Sequence, residues 1–220
     1  MNRVTFAVSP EIRVGGSVFS PKDMIAIGQI VGDEAQIELS TFQQLIVEIN
    51  EEKAEEAKNA LREKGLCVYE TGSVVKNLSV CTFCKGAEEE GLLAARNLND
   101  SIVGMTVPFT MRVGYTGCPN ACGEPLVKDI GIVKRKDTFE IYVGGQTKTL
   151  EAKTAELLID QVKEDDLSPI VKSVVTLYQE KGKKREKFFK FVQRYGIENI
   201  RKDLGFWIGY TKLDRKNKGL

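Results

Sequence analysis

The sequence predicts an α+β protein in two parts, residues 1–70 and residues 71–220, and three observations carry that expectation. The first part runs strand, helix, strand, strand, helix, strand, which is the ferredoxin-like split βαβ arrangement. Composition changes at Val74, where a segment holding two cysteine pairs begins. After Gly144-Gly145 the chain reads as helices to its end.

Taken in order, residues 3–8 alternate and read as a strand, followed by a turn at Gly15-Gly16. Ser20 is placed to cap a helix, with Pro21 at its first position and Asp23 three residues after the cap, so a helix to about Val31 follows. Residues 36–40 and 45–49 alternate as strands around Thr41-Phe42-Gln43-Gln44. Asn50 caps a helix from Glu51 to Lys64, acidic in its first turn and ended by Lys64-Gly65, and Leu66-Cys67-Val68-Tyr69 is a short strand. Residues 86–97 carry acidic residues early and apolar ones at helical spacing, so a helix leads away from the first cysteine pair. Thr106 to Tyr115 returns as a strand to the second pair, and residues 129–133 and 138–143 form two further strands around a polar turn. Helices are expected at 155–163, 168–181, 184–194 and 197–204, with the basic run 181–187 as a solvated junction or, as its rival reading, a contact for an anionic cofactor or acidic partner.

Composition excludes several classes. Charged residues make up 29% and hydrophobic ones 42%, as in a globular chain, and the formal net charge of +1 gives no overall field for nucleic acid. No run of eighteen apolar residues and no basic-then-apolar leader at Met1-Asn2-Arg3-Val4 is present, so the expectation is a cytoplasmic protein with no membrane partner. There is no histidine, which removes Ser-His-Asp and Cys-His catalysis, histidine-ligated haem and histidine zinc sites. Proton transfer falls to Lys, Tyr, a carboxylate or Arg-bound water. No glycine motif for a nucleotide is present, since Gly15-Gly16 and Gly144-Gly145 lack the remaining spacing.

Of the five cysteines, Cys67 sits in an apolar stretch and reads as a buried structural thiol. The other four form Cys81-Thr82-Phe83-Cys84 and Cys118-Pro119-Asn120-Ala121-Cys122. Two close pairs fit metal ligation in a reducing compartment better than a disulfide framework. Four thiolates from two loops are the ligand set of a 4Fe-4S cluster or of a structural zinc, since both require a closed shell of soft anionic sulfur.

The context of the second pair is more specific than its spacing. Thr116-Gly117-Cys118-Pro119-Asn120-Ala121-Cys122-Gly123 closely resembles the second cluster motif of the sirohaem-containing sulfite and nitrite reductases. Val75-Lys76-Asn77-Leu78-Ser79-Val80-Cys81 resembles the entry to that family's first cluster loop, and Lys128-Asp129-Ile130-Gly131-Ile132 to Val143-Gly144-Gly145 its following hairpin. The length is similar to the small, single-repeat assimilatory-type sulfite reductases.

The resemblance implies a ferredoxin-like half-domain followed by a 4Fe-4S and sirohaem-binding domain with C-terminal helices. It implies that Cys81, Cys84, Cys118 and Cys122 bind the 4Fe-4S cluster and that Cys122 bridges to the sirohaem iron. Sulfite reduction to sulfide and nitrite reduction to ammonia each take six electrons, which a cluster sharing a ligand with the haem can deliver. Sirohaem is rich in carboxylates and the substrate is an anion, so Lys76 and Arg112 are the implied catalytic and cofactor-binding cations, with Thr41, Gln43 and Asn120 as polar contacts.

Two departures stand out. The first cysteine pair is spaced by two residues where the family normally has five, and Phe42 stands where the family places an arginine near the anion. The leading expectation is a sirohaem and 4Fe-4S reductase of sulfite or nitrite, supplied with electrons by a separate ferredoxin-like carrier or reductase subunit. A sirohaem-free electron-transfer or accessory protein is the second expectation and a zinc-stabilised binding module the third. One copy of a unit that larger relatives carry twice would pair as a homodimer, or with a partner, to cover the cofactor.

Overall fold

Alternation in β1 (Arg3–Ser9) sends Phe6 and Val8 to one face of a sheet and Thr5, Ala7 and Ser9 to the other. In the computed structural model, which describes residues 2–148 and 150–206, β1 pairs antiparallel with β3 (Leu45–Asn50) and β4 (Cys67–Glu70). With β2 (Gln36–Leu39) at the edge, the strand order is β2-β3-β1-β4. Two helices, α1 (Pro21–Val31) and α2 (Glu51–Glu63), supply Ile27, Val31, Ala54, Ala57 and Leu61 to the core on the Phe6 face. Both helices start as their sequences direct. Ser20 Oγ accepts from the Asp23 N–H at 3.2 Å while Asp23 Oδ2 accepts from the Ser20 N–H at 2.7 Å, and Asn50 Oδ1 accepts from the Glu52 N–H at 3.2 Å.

The opposite face of this sheet has no helix of its own and is turned to the rest of the chain. Asn77 Nδ2 donates to Ser9 Oγ at 3.3 Å across the junction, and Asn99 Nδ2 donates to the Tyr69 hydroxyl at 3.4 Å.

The second sheet has the order β5-β6-β7-β8-β9. The pairs β5 (Ser79–Val80) with β6 (Val113–Thr116) and β6 with β7 (Ile130–Arg135) are parallel, whereas β8 (Thr138–Val143) and β9 (Glu156–Val162) return antiparallel. Between β5 and β6 the chain makes the crossover that a parallel pair requires, using α3 (Leu92–Ile102). That helix packs against α4 (Glu164–Lys181), followed by α5 (Phe188–Tyr195) and α6 (Ile197–Asp203). Tyr178, Phe188 and Phe191 form an aromatic cluster with ring centroids 5.1–5.9 Å apart. Each such buried ring contributes about 1.5–3 kcal/mol, which fastens the C-terminal helices to the second sheet.

The structure corrects several expected elements. Residues 155–163, expected as a helix, contain strand β9. Leu and Glu favour a helix in isolation, but the open edge of β8 takes this segment as a partner, and a bulge with Gln161 at φ 56° absorbs its irregular pattern. The strand expected over 106–115 is confined to Val113–Thr116, with single bridges at Thr106 and Met111, because Pro108 lacks the N–H a ladder needs. Helix α3 begins later than expected, at Leu92, and α4 earlier, at Glu164, where an acidic first turn meets the positive end of the helix. Helix α5 begins at Phe188 instead of Lys184, so the basic run ends in a turn held by Glu186 and Arg194 (2.7 Å). Cys67 is half-buried, and burial pushes its thiol pKa up. Residues 207–220 of the second expected domain lie outside the described residues.

Candidate functional site

The parallel register of β5 and β6 decides where the cysteines go. Ser79 lies opposite Gly114 and Val80 opposite Tyr115, so Cys81 and Cys118 leave the same, carboxyl end of two adjacent strands. In open α/β sheets that end is where ligands are bound. The Cys81 N–H donates to the Tyr115 carbonyl at 3.2 Å, and the Gly117 N–H donates to Cys81 Sγ at 3.3 Å. The first thiol therefore touches the second loop directly.

Each loop is shaped by buried anchors. Phe83 is 1% exposed, packs on Tyr115 with ring centroids 6.1 Å apart, and holds φ at 52°, a left-handed value that costs a bulky residue about 1–3 kcal/mol. Its flanking residues Thr82 and Cys84 are exposed in consequence. The Gly15-Gly16 turn lies against this loop, with the Gly15 N–H donating to the Thr82 carbonyl at 3.0 Å. In the second loop Ala121 and Glu124 take φ values of 57° and 51°. Gly123 is required there, since a Cβ would stand 2.1 Å from the Tyr115 carbonyl oxygen.

Cys81 is buried, Cys118 half-buried, and Cys84 and Cys122 exposed. The Cys84 thiol is pushed up by its hydrogen bond to Glu90 and by the charges of Glu90 and Cys118 nearby. Four thiols at one end of a parallel pair are a donor set of the right softness and number for an iron–sulfur cluster. Among the described residues no three Cys, Asp or Glu side chains stand in a metal-holding arrangement.

A second feature lies between the two sheets. A cavity of about 410 Å³ is bounded on one side by Thr5, Ser40, Phe42 and Ile46 of the first sheet, and on the other by Lys76, Arg112 and Gln146. Four cations (Lys76, Arg112, Lys148 and Lys187) line it against the two carboxylates Glu38 and Asp129. Lys76 is 7% exposed, burial lowers its pKa, and it has no carboxylate partner among the described residues. Arg112 is different. Its Nε donates to Asp129 Oδ2 at 3.0 Å, its backbone N–H to the same oxygen at 2.8 Å, and its Nη2 to Gln146 Oε1 at 3.3 Å. Burial pushes the Asp129 carboxyl up while the Arg112 guanidinium pulls it back.

The cavity thus brings together Lys76 and Arg112, two of the residues singled out in the sequence. Thr41 and Gln43 are exposed and off its wall, where Ser40 and Phe42 stand instead, and Asn120 is exposed in the second cysteine loop. No cysteine lines the cavity. Sequence reasoning missed three residues. Glu90 was grouped with Glu88 and Glu89 as a helix start, but it is 1% exposed beside Cys84. Lys148 lies over the Phe42 ring, 5.1 Å from its centroid. Gln44, and not Gln43, is the buried amide of its segment, and its side chain finds no hydrogen-bond partner among the described residues. Nothing in the local pattern marks any of the three.

Known proteins bear on the same features. Residues 71–206 match the model of the nitrite and sulphite reductase 4Fe-4S domain. The chain is 24% identical to the assimilatory-type sulfite reductase of Nitratidesulfovibrio vulgaris over 91% of its own length and 92% of that protein. It is 28% identical to the cobalt-factor III methyltransferase of Priestia megaterium over 88% of its length, but spans only 35% of that protein. Among solved structures, dissimilatory sulfite reductase I superposes with a TM-score of 0.75 at 12% identity, covering 93% of this chain and 69% of that one, which is a likeness of fold. The matched segment, which holds all four paired cysteines and most of the second sheet's core, makes this chain a member of the nitrite and sulphite reductase 4Fe-4S domain family.

Proposed function

We propose that this protein is a reductase of the sulfite and nitrite type, in which a 4Fe-4S cluster on Cys81, Cys84, Cys118 and Cys122 works with a sirohaem held at the cavity between the two sheets. The observation that carries the reading is Lys76. Lys76 has no counter-charge among the described residues, and a buried ammonium in that state on a cavity wall is costly unless an anion completes it. Lys76 is also five positions before Cys81 on the segment that leads into β5, so an anion on Lys76 is tied to the cysteine loops by a few residues of ordered backbone.

When bound, the coupled cluster and sirohaem would supply electrons for taking sulfite to sulfide or nitrite to ammonia. The chain's own residues do the rest. Lys76 and Lys187 bind anionic groups, whether a tetrapyrrole carboxylate or the substrate. Asp129 keeps Arg112 fixed on the wall and offsets much of its charge. Lys148 restores a cation beside Phe42, at the position where the family resemblance implies an arginine. Lys76, with its lowered pKa, is also a proton donor suited to a departing oxygen. Electrons would come from a separate ferredoxin-like carrier or reductase subunit, in keeping with the ferredoxin–nitrite reductases among the relatives.

A second reading is favoured by Phe42. An apolar ring on the cavity wall cannot neutralise an anion at the position where the family resemblance implies an arginine, which suits a chain that keeps the cluster and has lost the sirohaem. On this reading the chain binds a cluster and serves as an electron-transfer or accessory protein without sirohaem. Anaerobic purification followed by an absorption spectrum tests both. A Soret band together with broad cluster absorption is expected from the first reading. A brown protein without haem bands supports the second, and a chain free of iron and sulfide overturns both.

A further inference from the structure

The family's cysteines explain the sulfur donors but not how a first loop shortened to two intervening residues keeps its second thiol in place. Cys84 is exposed, and its thiol donates a hydrogen bond to Glu90 Oε1 at 3.5 Å.

Glu90 is held from four directions. Its Oε1 accepts the Lys85 N–H at 3.0 Å, which fixes the backbone directly after Cys84. Its carbonyl accepts from the Tyr115 hydroxyl at 2.8 Å. Its own N–H donates to the Gly86 carbonyl at 3.1 Å. On the remaining side it lies so close to the second loop that a Cβ on Gly117 would stand 2.3 Å from Glu90 Cβ. Glu90 Oε2 is fully buried and has no hydrogen-bond partner among the described residues. A buried carboxylate with one oxygen unsatisfied costs stability, so a purely structural role would be better served by an apolar residue.

We propose that Glu90 is the positioning residue of the cluster site: it braces the Cys84-Lys85 turn of the first loop against Gly117 of the second, so that a two-residue spacing still presents Cys84 beside Cys118. The Cys84 thiol and the Lys85 N–H both donate to Glu90 Oε1, and a cysteine that ligates iron has no S–H to donate, so the Lys85 N–H is the bond that holds the turn. The inference rests on the proposed cluster and concerns only how this chain holds it.

The test is iron retention. Wild type, Glu90→Gln, Glu90→Ala and Glu90→Asp are reconstituted anaerobically with ferrous iron and sulfide, then challenged with a chelator while iron per chain and thermal unfolding are followed. Residues that orient metal ligands typically change affinity by about 10- to 100-fold when removed, and that loss is expected of Glu90→Ala. Glu90→Gln keeps an acceptor for the Lys85 N–H and is expected to stay within a few-fold of wild type. Glu90→Asp falls short of that N–H and is expected to lose iron like Glu90→Ala, which keeps the test valid if the alanine variant does not fold. Wild-type retention in Glu90→Ala or Glu90→Asp overturns the proposal, as does equal loss in Glu90→Gln. A wild-type chain that takes up no iron overturns the proposed function as well, which separates the two failures.

Discussion

Lys76 makes opposite predictions for stability and for binding. Its side chain is almost wholly covered, its ammonium has no carboxylate partner among the described residues, and burial already disfavours its charged form. Lys76→Met keeps the length and apolar stem while removing the desolvated charge. Stabilising single substitutions commonly yield roughly 0.5–2 kcal/mol, and a gain of about 1 kcal/mol is expected here. For a chain of this size that corresponds to a melting temperature raised by about 2–4 °C, or a urea midpoint raised by about 0.5 M with m near 2 kcal/mol/M. The metal-free variant and wild type are compared by thermal and urea unfolding, and the same two proteins by sirohaem titration. The expected pair of results is higher stability and weaker tetrapyrrole uptake. An unchanged or lowered melting temperature would show that the charge is compensated in the folded protein, and that the case for an anion at this wall is wrong.

Three further expectations follow from the packing. Gly117→Ala places a Cβ 2.3 Å from Glu90 Cβ and 2.7 Å from its carbonyl oxygen, so relief requires backbone movement, and a loss of about 2–3 kcal/mol is expected in urea unfolding together with lost iron. Arg112→Leu leaves Asp129, 4% exposed, without its cation and is expected to cost about 3–5 kcal/mol, whereas the double variant Arg112→Leu with Asp129→Leu recovers most of it in the same assay. At acid pH the hydrogen bond from Arg194 holds Glu186 below its ordinary 4.5, so its contribution is present above pH 4.5 and is lost as pH falls through the lower folded value. Arg194→Leu should flatten that part of the stability-against-pH curve, a small change because the pair is partly exposed.

What the sequence determined by itself was local chemistry. Ser20 and Asp23 set the start of α1, and alternation set β1 and β3. The two cysteine pairs with Gly117 and Gly123 carried the family. What only the tertiary structure decided were matters of which face and which partner. Residues 156–162 have helix-forming composition and became a strand because β8 had an open edge. Three consecutive glutamates look alike in sequence, yet only Glu90 is swallowed between the cysteine loops. Lys76 and Arg112 both read as cations for an anion, but Asp129 lies within 3.0 Å of Arg112 and leaves Lys76 uncompensated. Local signals act over a turn or a strand, whereas burial and charge pairing depend on residues tens of positions away, and those are brought together only when the two sheets close on the cavity between them.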